Sequence, residues 1–186
     1  MVSKIRKEEE VLFDKNLNKL ITLLARNPSH KFTQAELRKS ARLSKLTVSK
    51  WLQELERLDF VKTERIGRNI LYYVTIDNPI VKQMKILFNV SSLYKIAKEI
   101  AKVLECEVYL FGSVARGEDT EKSDIDLLII GDKVPQSAVM AIIGPLEKEW
   151  GRKITFHIFT RMEWAQTARK DKAFYERVEK DRIRLA

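Results

Sequence analysis

The stretch LFGSVARGEDTEKSDIDLLII, residues 110–130, decides how the second half of this 186-residue chain is expected to fold. It joins two apolar runs, EVYLF at 107–111 and IDLLII at 125–130, and each run predicts a strand. Gly112 and Ser113 directly follow the first strand. The missing side chain of Gly112 lets the backbone approach a phosphate group, and the Ser113 hydroxyl can donate a hydrogen bond to it.

Two carboxylates stand at the start of the second predicted strand. Asp124 and Asp126 are one residue apart, so the two-residue period of a strand puts both on one face and turns Ile125 into the core. Such a pair suits Mg²⁺, which keeps several waters and takes substrate phosphates as further ligands. An isolated Asp-x-Asp pair is often only the solvent-exposed face of an edge strand. The Gly-Ser turn ahead of it and the apolar runs on both sides make a metal-phosphate site for in-line nucleotidyl transfer the more specific prediction.

The stretch KITFHIF, residues 153–159, predicts a third strand. If Ile154, Phe156 and Ile158 face the core, alternation turns Thr155, His157 and Phe159 toward the site, and none of these is an acid. His157 is a possible general base, although a strand histidine is more often structural. We expect Glu107 and Asp132, at strand ends, to be surface charges. Arg116 is either a phosphate contact or a solvated charge beside Glu118 and Asp119.

Outside these strands, helical patterns predict segments at Gln136–Trp150 and Arg161–Val178 and from Asn78-Pro79 onward. We assign residues 79–104 to a helical linker that includes the first helix of the next domain, and residues 105–186 to that domain.

Residues 1–78 follow a different pattern, which predicts three helices and a β-hairpin. The first helix carries apolar residues at helical spacing and ends near Asn27-Pro28 (Phe13, Leu17, Leu20, Ile21, Leu24). Thr33 and Glu36 predict a capping box for a second helix that ends at Ala41. Ser44 can cap a third helix with Val48, Leu52 and Leu55 on its inner face. The segments FVKTER and NILYYVTI predict a hairpin with a tight turn at residues 66–69.

Charge favours a polyanionic partner for the N-terminal part. The chain carries 35 basic and 26 acidic side chains, a formal charge of +9, of which +6 falls in residues 1–80 and +3 in residues 81–186. Cys106 is the only cysteine, which excludes an intrachain disulfide and a cysteine-rich zinc site. The start MVSKIRKEEE lacks the apolar stretch of a signal peptide, and no apolar run approaches the roughly 20 residues of a membrane span. These features predict a cytoplasmic protein without a membrane partner.

The segment FGSVARGEDTEKSDIDLLI resembles the minimal nucleotidyltransferases of the DNA polymerase beta superfamily, over roughly residues 91–160. The resemblance implies that Gly112 and Ser113 hold ATP or another nucleoside triphosphate, and Arg116 in the loop that follows is a further candidate nucleotide contact. It also implies that Asp124 and Asp126 bind Mg²⁺ and are catalytic together with Ser113. Active members normally add a third carboxylate from the following strand, and Thr155 occupies that position.

The segment LSKLTVSKWLQELERLDFVKTERIGRNILYYV resembles the recognition helix and wing of winged-helix regulators, over roughly residues 8–77. The resemblance implies double-stranded DNA as a partner and a homodimer, for which the first helix is a possible contact element. The expected DNA-contacting residues lie on the third helix and at the hairpin turn (Ser44, Lys45, Thr47, Ser49, Lys50, Arg65, Arg68, Asn69). The alternative is an ordinary solvated face on a protein-interaction or dimerisation module.

The expected fold class is therefore α+β with two domains, a winged helix-turn-helix followed by an α/β nucleotidyltransferase-fold domain with a small mixed sheet. Three functions stay open. The first is a DNA-binding transcription regulator whose second domain binds nucleotide and Mg²⁺ but is impaired in catalysis. The second is an active nucleotidyltransferase of the antitoxin type that transfers AMP to a toxin-type protein partner. The third, less favoured, is an enzyme that modifies nucleic-acid ends.

Overall fold

The computed structural model describes residues 14–186. Residues 1–13, which include Phe13 of the predicted first helix and the segment MVSKIRKEEE, lie outside the described residues. The chain divides into two compact units, one up to Lys85 and the other Ile86–Ala186.

In its described residues, the first unit has three helices and a three-stranded antiparallel sheet ahead of the long helix that begins at Pro79. Its elements are α1 (Lys15–Arg26), β1 (Phe32–Thr33), α2 (Gln34–Ala41), α3 (Lys45–Arg57), β2 (Val61–Ile66) and β3 (Asn69–Val74). The strand order is β1-β3-β2. The three helices and the hairpin agree with the sequence pattern, whereas β1, which pairs Phe32 with Tyr72 of β3, was not predicted.

Side-chain caps fix where the helices of the first unit begin. Thr33 and Glu36 form the predicted capping box, with the Thr33 amide 2.7 Å from Glu36 Oε2 and the Glu36 amide 3.2 Å from Thr33 Oγ1. Ser44 caps α3, because its Oγ accepts from the Thr47 amide at 3.1 Å. Both caps are confirmed, and each contributes on the order of 1 kcal/mol.

The inner faces of these helices are buried as their spacing predicts. Helix α1 contacts both α2 and α3. The predicted core positions on α1 and α3 are each at most 2% exposed (Leu17, Leu20, Ile21, Leu24, Val48, Leu52, Leu55). This core orients the opposite face of α3 toward solvent.

Helix α4 (Pro79–Leu104) has 26 residues and is the longest described helix. Asn78 stands before it, and its Oδ1 accepts from the Ile80 amide at 2.9 Å. The predicted linker and the first helix of the next domain are thus one continuous helix. Among the described helices, none combines the length and the apolar character that crossing a membrane requires.

The rest of the second unit is a four-stranded mixed sheet with helices on both faces. Its elements are β4 (Glu107–Phe111), α5 (Gly112–Ala115), β5 (Ile125–Ile130), α6 (Gln136–Trp150), β6 (Ile154–Phe159), α7 (Arg161–Lys170), α8 (Lys172–Asp181) and β7 (Ile183–Arg184). The strand order is β6-β5-β4-β7, with β5 and β6 parallel and the other pairs antiparallel. A mixed α+β fold with a small mixed sheet is confirmed.

The prediction of a single helix from Arg161 to Val178 is wrong, because the helix is interrupted at Asp171. Asp171 has non-helical backbone angles (φ −139°, ψ 73°), and its carboxylate accepts from the Phe174 amide at 3.0 Å. An aspartate at this position ends α7 and begins α8.

The two faces of the sheet carry separate cores. On one face, Leu127 and Ile129 of β5 pack with α4 and α6; on the other, Leu128 and Ile130 pack with α7 and α8. Strand alternation produces this division. The third strand follows it, since Ile154, Phe156 and Ile158 join the first core and Phe159 joins the second, as predicted.

Candidate functional site

The turn after β4 brings the backbone of Gly112 against the side chain of Asp126. Gly112 has φ +75°, and a Cβ added there would lie 2.5 Å from Asp126 Oδ2. The pairing of Phe111 with Asp126 across β4 and β5 sets this approach. Glycine therefore serves two needs at this position: a left-handed backbone conformation and space for a carboxylate.

Asp124 and Asp126 lie on the predicted face. Ile125 between them is 3% exposed and belongs to the core of the opposite face. Asp126 is half-buried, whereas the Asp124 side chain is 47% exposed, with Oδ2 3.9 Å from Lys153 Nζ.

The surroundings of Asp126 disfavour the charged form of its carboxylate. Burial raises the pKa of Asp126 above its ordinary value, the negative charge of Asp124 raises it further, and the nearby basic side chains His157, Arg177 and Arg116 oppose the shift. A divalent cation shared by the two carboxylates would remove the repulsion between them. The donor set therefore fits Mg²⁺, with the remaining ligands coming from water and phosphate.

Strand β6 brings no third acid to this pair. In the parallel register, Asp126 is adjacent to Thr155 and Leu128 to His157. His157 is exposed, with its ring centroid 5.2 Å from that of Phe174 and 6.0 Å from that of Phe111. In the part of the chain that the structure describes, no three His, Cys, Asp or Glu side chains are grouped so that they could hold a metal.

Arg116 is held by two acids. Its Nε lies 2.7 Å from Glu118 Oε2 and its Nη1 2.9 Å from Asp181 Oδ2, so it connects the loop after α5 to the end of α8. The ion pair with Glu118 agrees with the alternative of a charge beside Glu118, whereas the ion pair with Asp181 was not predicted. A phosphate contact by Arg116 remains a prediction.

The loop between α5 and β5 is fixed by buried polar contacts that sequence reasoning missed. Asp119 is 5% exposed, and its carboxylate lies 3.1 Å from Asn89 Nδ2 and 3.4 Å from Arg152 Nη1. Asn89 also donates to the Val114 carbonyl at 3.1 Å, and Arg152 Nη2 to the Ser123 carbonyl at 2.8 Å. These bonds hold both ends of the Gly-Ser to Asp segment in place before any ligand binds.

The C-terminal helices place an aromatic cluster on the carboxylate face of the sheet. Phe174 of α8 meets Phe111, His157 and Trp164 at ring-centroid distances of 5.2–6.2 Å. The Arg177 guanidinium lies 5.4 Å from the Phe174 ring centroid. The amphipathic run AFYERVEK indicates a helix that packs on one face. It does not indicate that this helix lies beside Asp126.

The remaining polar candidates of this unit are structural. Glu107 Oε2 accepts from the Tyr109 hydroxyl at 2.5 Å, and the Glu107 carboxylate also forms ion pairs with Arg161 and Arg184. Cys106 is half-buried beside the core, and burial raises the pKa of its thiol. Neither belongs to the carboxylate pair.

In the first unit, Lys45 and Lys50 are exposed on α3 and Ser49 is half-exposed. The Ser44 and Thr47 hydroxyls lie 2.8 Å apart, so both take part in the helix cap. The hairpin residues Arg65, Arg68 and Asn69 are exposed at and beside the turn.

The basic surface extends beyond the predicted positions. Arg38, Lys39 and Arg42 are exposed too, and residues 37–53 contain five basic and no acidic side chains. The sequence analysis did not select Arg38, Lys39 and Arg42, although their positive charge is visible in the sequence.

The second unit is thus a small mixed sheet that presents a Gly-Ser turn and two carboxylates on one face. The nucleotidyltransferase domain family matches residues 90–183, half of the chain, and the chain belongs to this family.

Two solved structures from Sulfolobus solfataricus are similar to parts of the chain. A candidate nucleotidyltransferase is 24% identical, with 54% of this chain and 85% of that chain covered and a TM-score of 0.30. Sso10a-2, a DNA-binding protein, is 14% identical, with 46% of this chain and 93% of that chain covered and a TM-score of 0.33. No curated protein sequence matches the chain.

Proposed function

We propose that this protein is a DNA-binding transcription regulator whose nucleotidyltransferase domain binds a nucleoside triphosphate with Mg²⁺ but is impaired in transferring the nucleotidyl group, a step that would release pyrophosphate. One observation carries the second part of the proposal: Asp126 shares its face with Asp124 but is adjacent to Thr155 where a third acid would stand. A hydroxyl is neither a strong Mg²⁺ ligand nor a base near neutral pH.

In the proposed nucleotide complex, Asp124 and Asp126 hold the metal ion, and the Gly112-Ser113 turn holds the phosphates of ATP or another nucleoside triphosphate. Bound Mg²⁺ would neutralise the charge that develops on the transferred phosphoryl group. The fixed loop around Asp119 supports binding, because the turn and the carboxylates need little rearrangement to accept the ligand.

Isothermal titration with ATP and Mg²⁺ tests nucleotide binding. We expect heat with the parent, and loss of most of it with Asp124→Ala. The control is Asp132→Ala, which removes an exposed acid of the same unit outside the site. No heat from the parent at millimolar nucleotide would eliminate ligand binding, and equal heats for the two variants would place the metal elsewhere.

The DNA-binding part rests on the arrangement and charge of the first unit, which we propose to be a winged helix. Three helices followed by a hairpin, with an exposed basic face on α3, match the arrangement in which a recognition helix enters the major groove. Arg65, Arg68 and Asn69 at the hairpin turn would contact phosphates or the minor groove.

A gel-shift series at increasing salt tests this interface. Lys45→Ala with Lys50→Ala should weaken binding and reduce the dependence of log K on log salt by about 2, since two phosphate contacts are lost. Lys133→Ala with Lys148→Ala removes the same charge from exposed positions of the second unit and should change neither. Equal effects of the two pairs would indicate only a general charge effect.

The alternative is an active antitoxin-type enzyme that transfers AMP to a toxin-type protein partner. It is favoured by the retained Gly-Ser turn, both carboxylates and the fixed loop. Labelled ATP with the product of the neighbouring gene is the direct assay. If Asp124→Ala labels that partner as well as the parent does, the activity comes from another site.

A further inference from the structure

Leu46 is a solvent-exposed apolar side chain between the basic residues Lys45 and Lys50 on α3. It is the second residue of α3 and is 83% exposed, more than any other described large hydrophobic side chain. Single exposed hydrophobic residues are ordinary on protein surfaces. Ile66 and Ile70 beside the hairpin turn are also exposed, at 56% and 44%. Exposed apolar groups thus occur on both elements proposed to contact DNA.

The neighbours of Leu46 on the outer face of α3 are hydrogen-bonding and basic groups. Ser49, Lys50 and Gln53 follow at positions i+3, i+4 and i+7, so they share one helix face with it. Val48, Leu52 and Leu55 occupy the buried face. The outer face therefore combines one branched apolar group with donors and acceptors of the kind that contact base edges.

The charge around this face favours DNA over a protein as its occupant. The five basic and zero acidic side chains of residues 37–53 would have to be desolvated or paired in a protein interface, whereas phosphates pair with them directly. In the major groove the only methyl group on a base edge is that of thymine.

We propose that Leu46 contacts a thymine methyl group in the major groove and so helps to set the sequence preference of the protein. The proposal rests on the proposed DNA-binding function. Residues at the N-terminal end of a recognition helix contact base edges, and Leu46 occupies that end of α3. Opposite guanine or cytosine, the same side chain would cover polar atoms without bonding them, which disfavours those bases.

The test begins with selection of the preferred duplex from a randomised library by the full-length chain. Each thymine of that duplex is then replaced by deoxyuridine, which removes only the methyl group. We expect at least one replacement to weaken binding by the parent about fourfold, the effect of one buried carbon. Leu46→Ala should bind the thymine and uracil duplexes at that position with equal affinity. Leu87→Ala, which shortens a 60% exposed leucine of the second unit, should keep the fourfold difference.

The outcomes distinguish failure of the methyl contact from failure of the proposed DNA-binding function. If the parent binds no duplex, the proposed DNA-binding function fails. If the parent binds but distinguishes thymine from uracil nowhere, or Leu46→Ala still distinguishes them at the same position, DNA binding stands and the methyl contact is overturned. The contact is also overturned if Leu46→Ala keeps the parent's DNA preference but loses self-association, which would make Leu46 a protein-contact residue.

Discussion

Replacing Gly112 by alanine tests the close approach that organises the carboxylate site. The added Cβ would lie 2.5 Å from Asp126 Oδ2, which is shorter than real Cβ contacts, and 3.3 Å from its Cγ, which is tighter than most of them. The carboxylate is the end of a movable side chain, so it can turn away while the strands stay paired. We therefore expect a folded variant with a displaced carboxylate.

Two costs add up in Gly112→Ala. A non-glycine residue at φ +75° costs about 1–2 kcal/mol. Forcing Asp126 away from its preferred rotamer adds about 0.5–1.5 kcal/mol. The free energy of unfolding should fall by about 1.5–3.5 kcal/mol. Urea denaturation followed by far-UV circular dichroism measures it, with the same ATP and Mg²⁺ titration as a second readout, in which we expect most of the heat to be lost.

Gly151→Ala is the matched control. Gly151 is in the same unit and has φ +62°, but a Cβ there would meet nothing within 4 Å. This variant should lose only the backbone cost of about 1–2 kcal/mol. Adding Asp126→Ala to Gly112→Ala should recover the difference of about 1 kcal/mol as a coupling energy between two contacting residues. Equal losses for the two glycine variants with no such coupling would refute the close approach.

Three further predictions concern the charge of Asp126, the buried loop contact of Arg152 and the missing acid at Thr155. Burial raises the pKa of Asp126, so the folded chain holds this proton more tightly and stability falls as pH rises through the interval above the ordinary aspartate value. Asp126→Asn should therefore melt at a higher temperature than the parent at pH 7, with a gain that shrinks toward pH 4; a gain independent of pH would contradict this. Arg152→Ala should cost about 1–3 kcal/mol in urea denaturation because it leaves a buried carboxylate with fewer partners, whereas Arg161→Ala, at a 70% exposed position, should cost less than about 0.5 kcal/mol. Thr155→Asp should increase transfer from labelled ATP above the parent level while Thr155→Asn does not; no gain would mean that more than the third acid is missing.

The helices and long strands could be predicted because their signals are local. The capping box of Thr33 and Glu36 and the cap at Ser44 lie within four residues of the helix starts they define. The strands Glu107–Phe111 and Ile125–Ile130 coincide with apolar runs in the sequence. A charged or glycine residue adjoins each run on at least one side and marks where it ends. In each case the information needed is contained in a short window.

The features that the sequence did not predict depend on residues that are distant along the chain. Strands β1 and β7 have two residues each, too few for an alternating pattern, and they exist because β3 and β4 offer free edges. The break at Asp171 was hidden since the apolar spacing continues through it. The buried contact of Asp119 joins residues 30 positions apart, and nothing in the loop marks that acid as different from Glu118.

The position of Thr155 shows how far the sequence and the fold together constrain the chemistry of the site. Alternation along KITFHIF predicted which side chains face the carboxylates, and the parallel register brings Thr155, and not His157, level with Asp126. His157 is one strand repeat further along, with its ring against Phe174. It could therefore come level with Asp126 only through a two-residue change of register, which would replace every pairing between β5 and β6. The carboxylate pair without an adjacent third acid is the observation behind the proposed nucleotide binding with impaired transfer, and the Thr155→Asp variant tests that proposal.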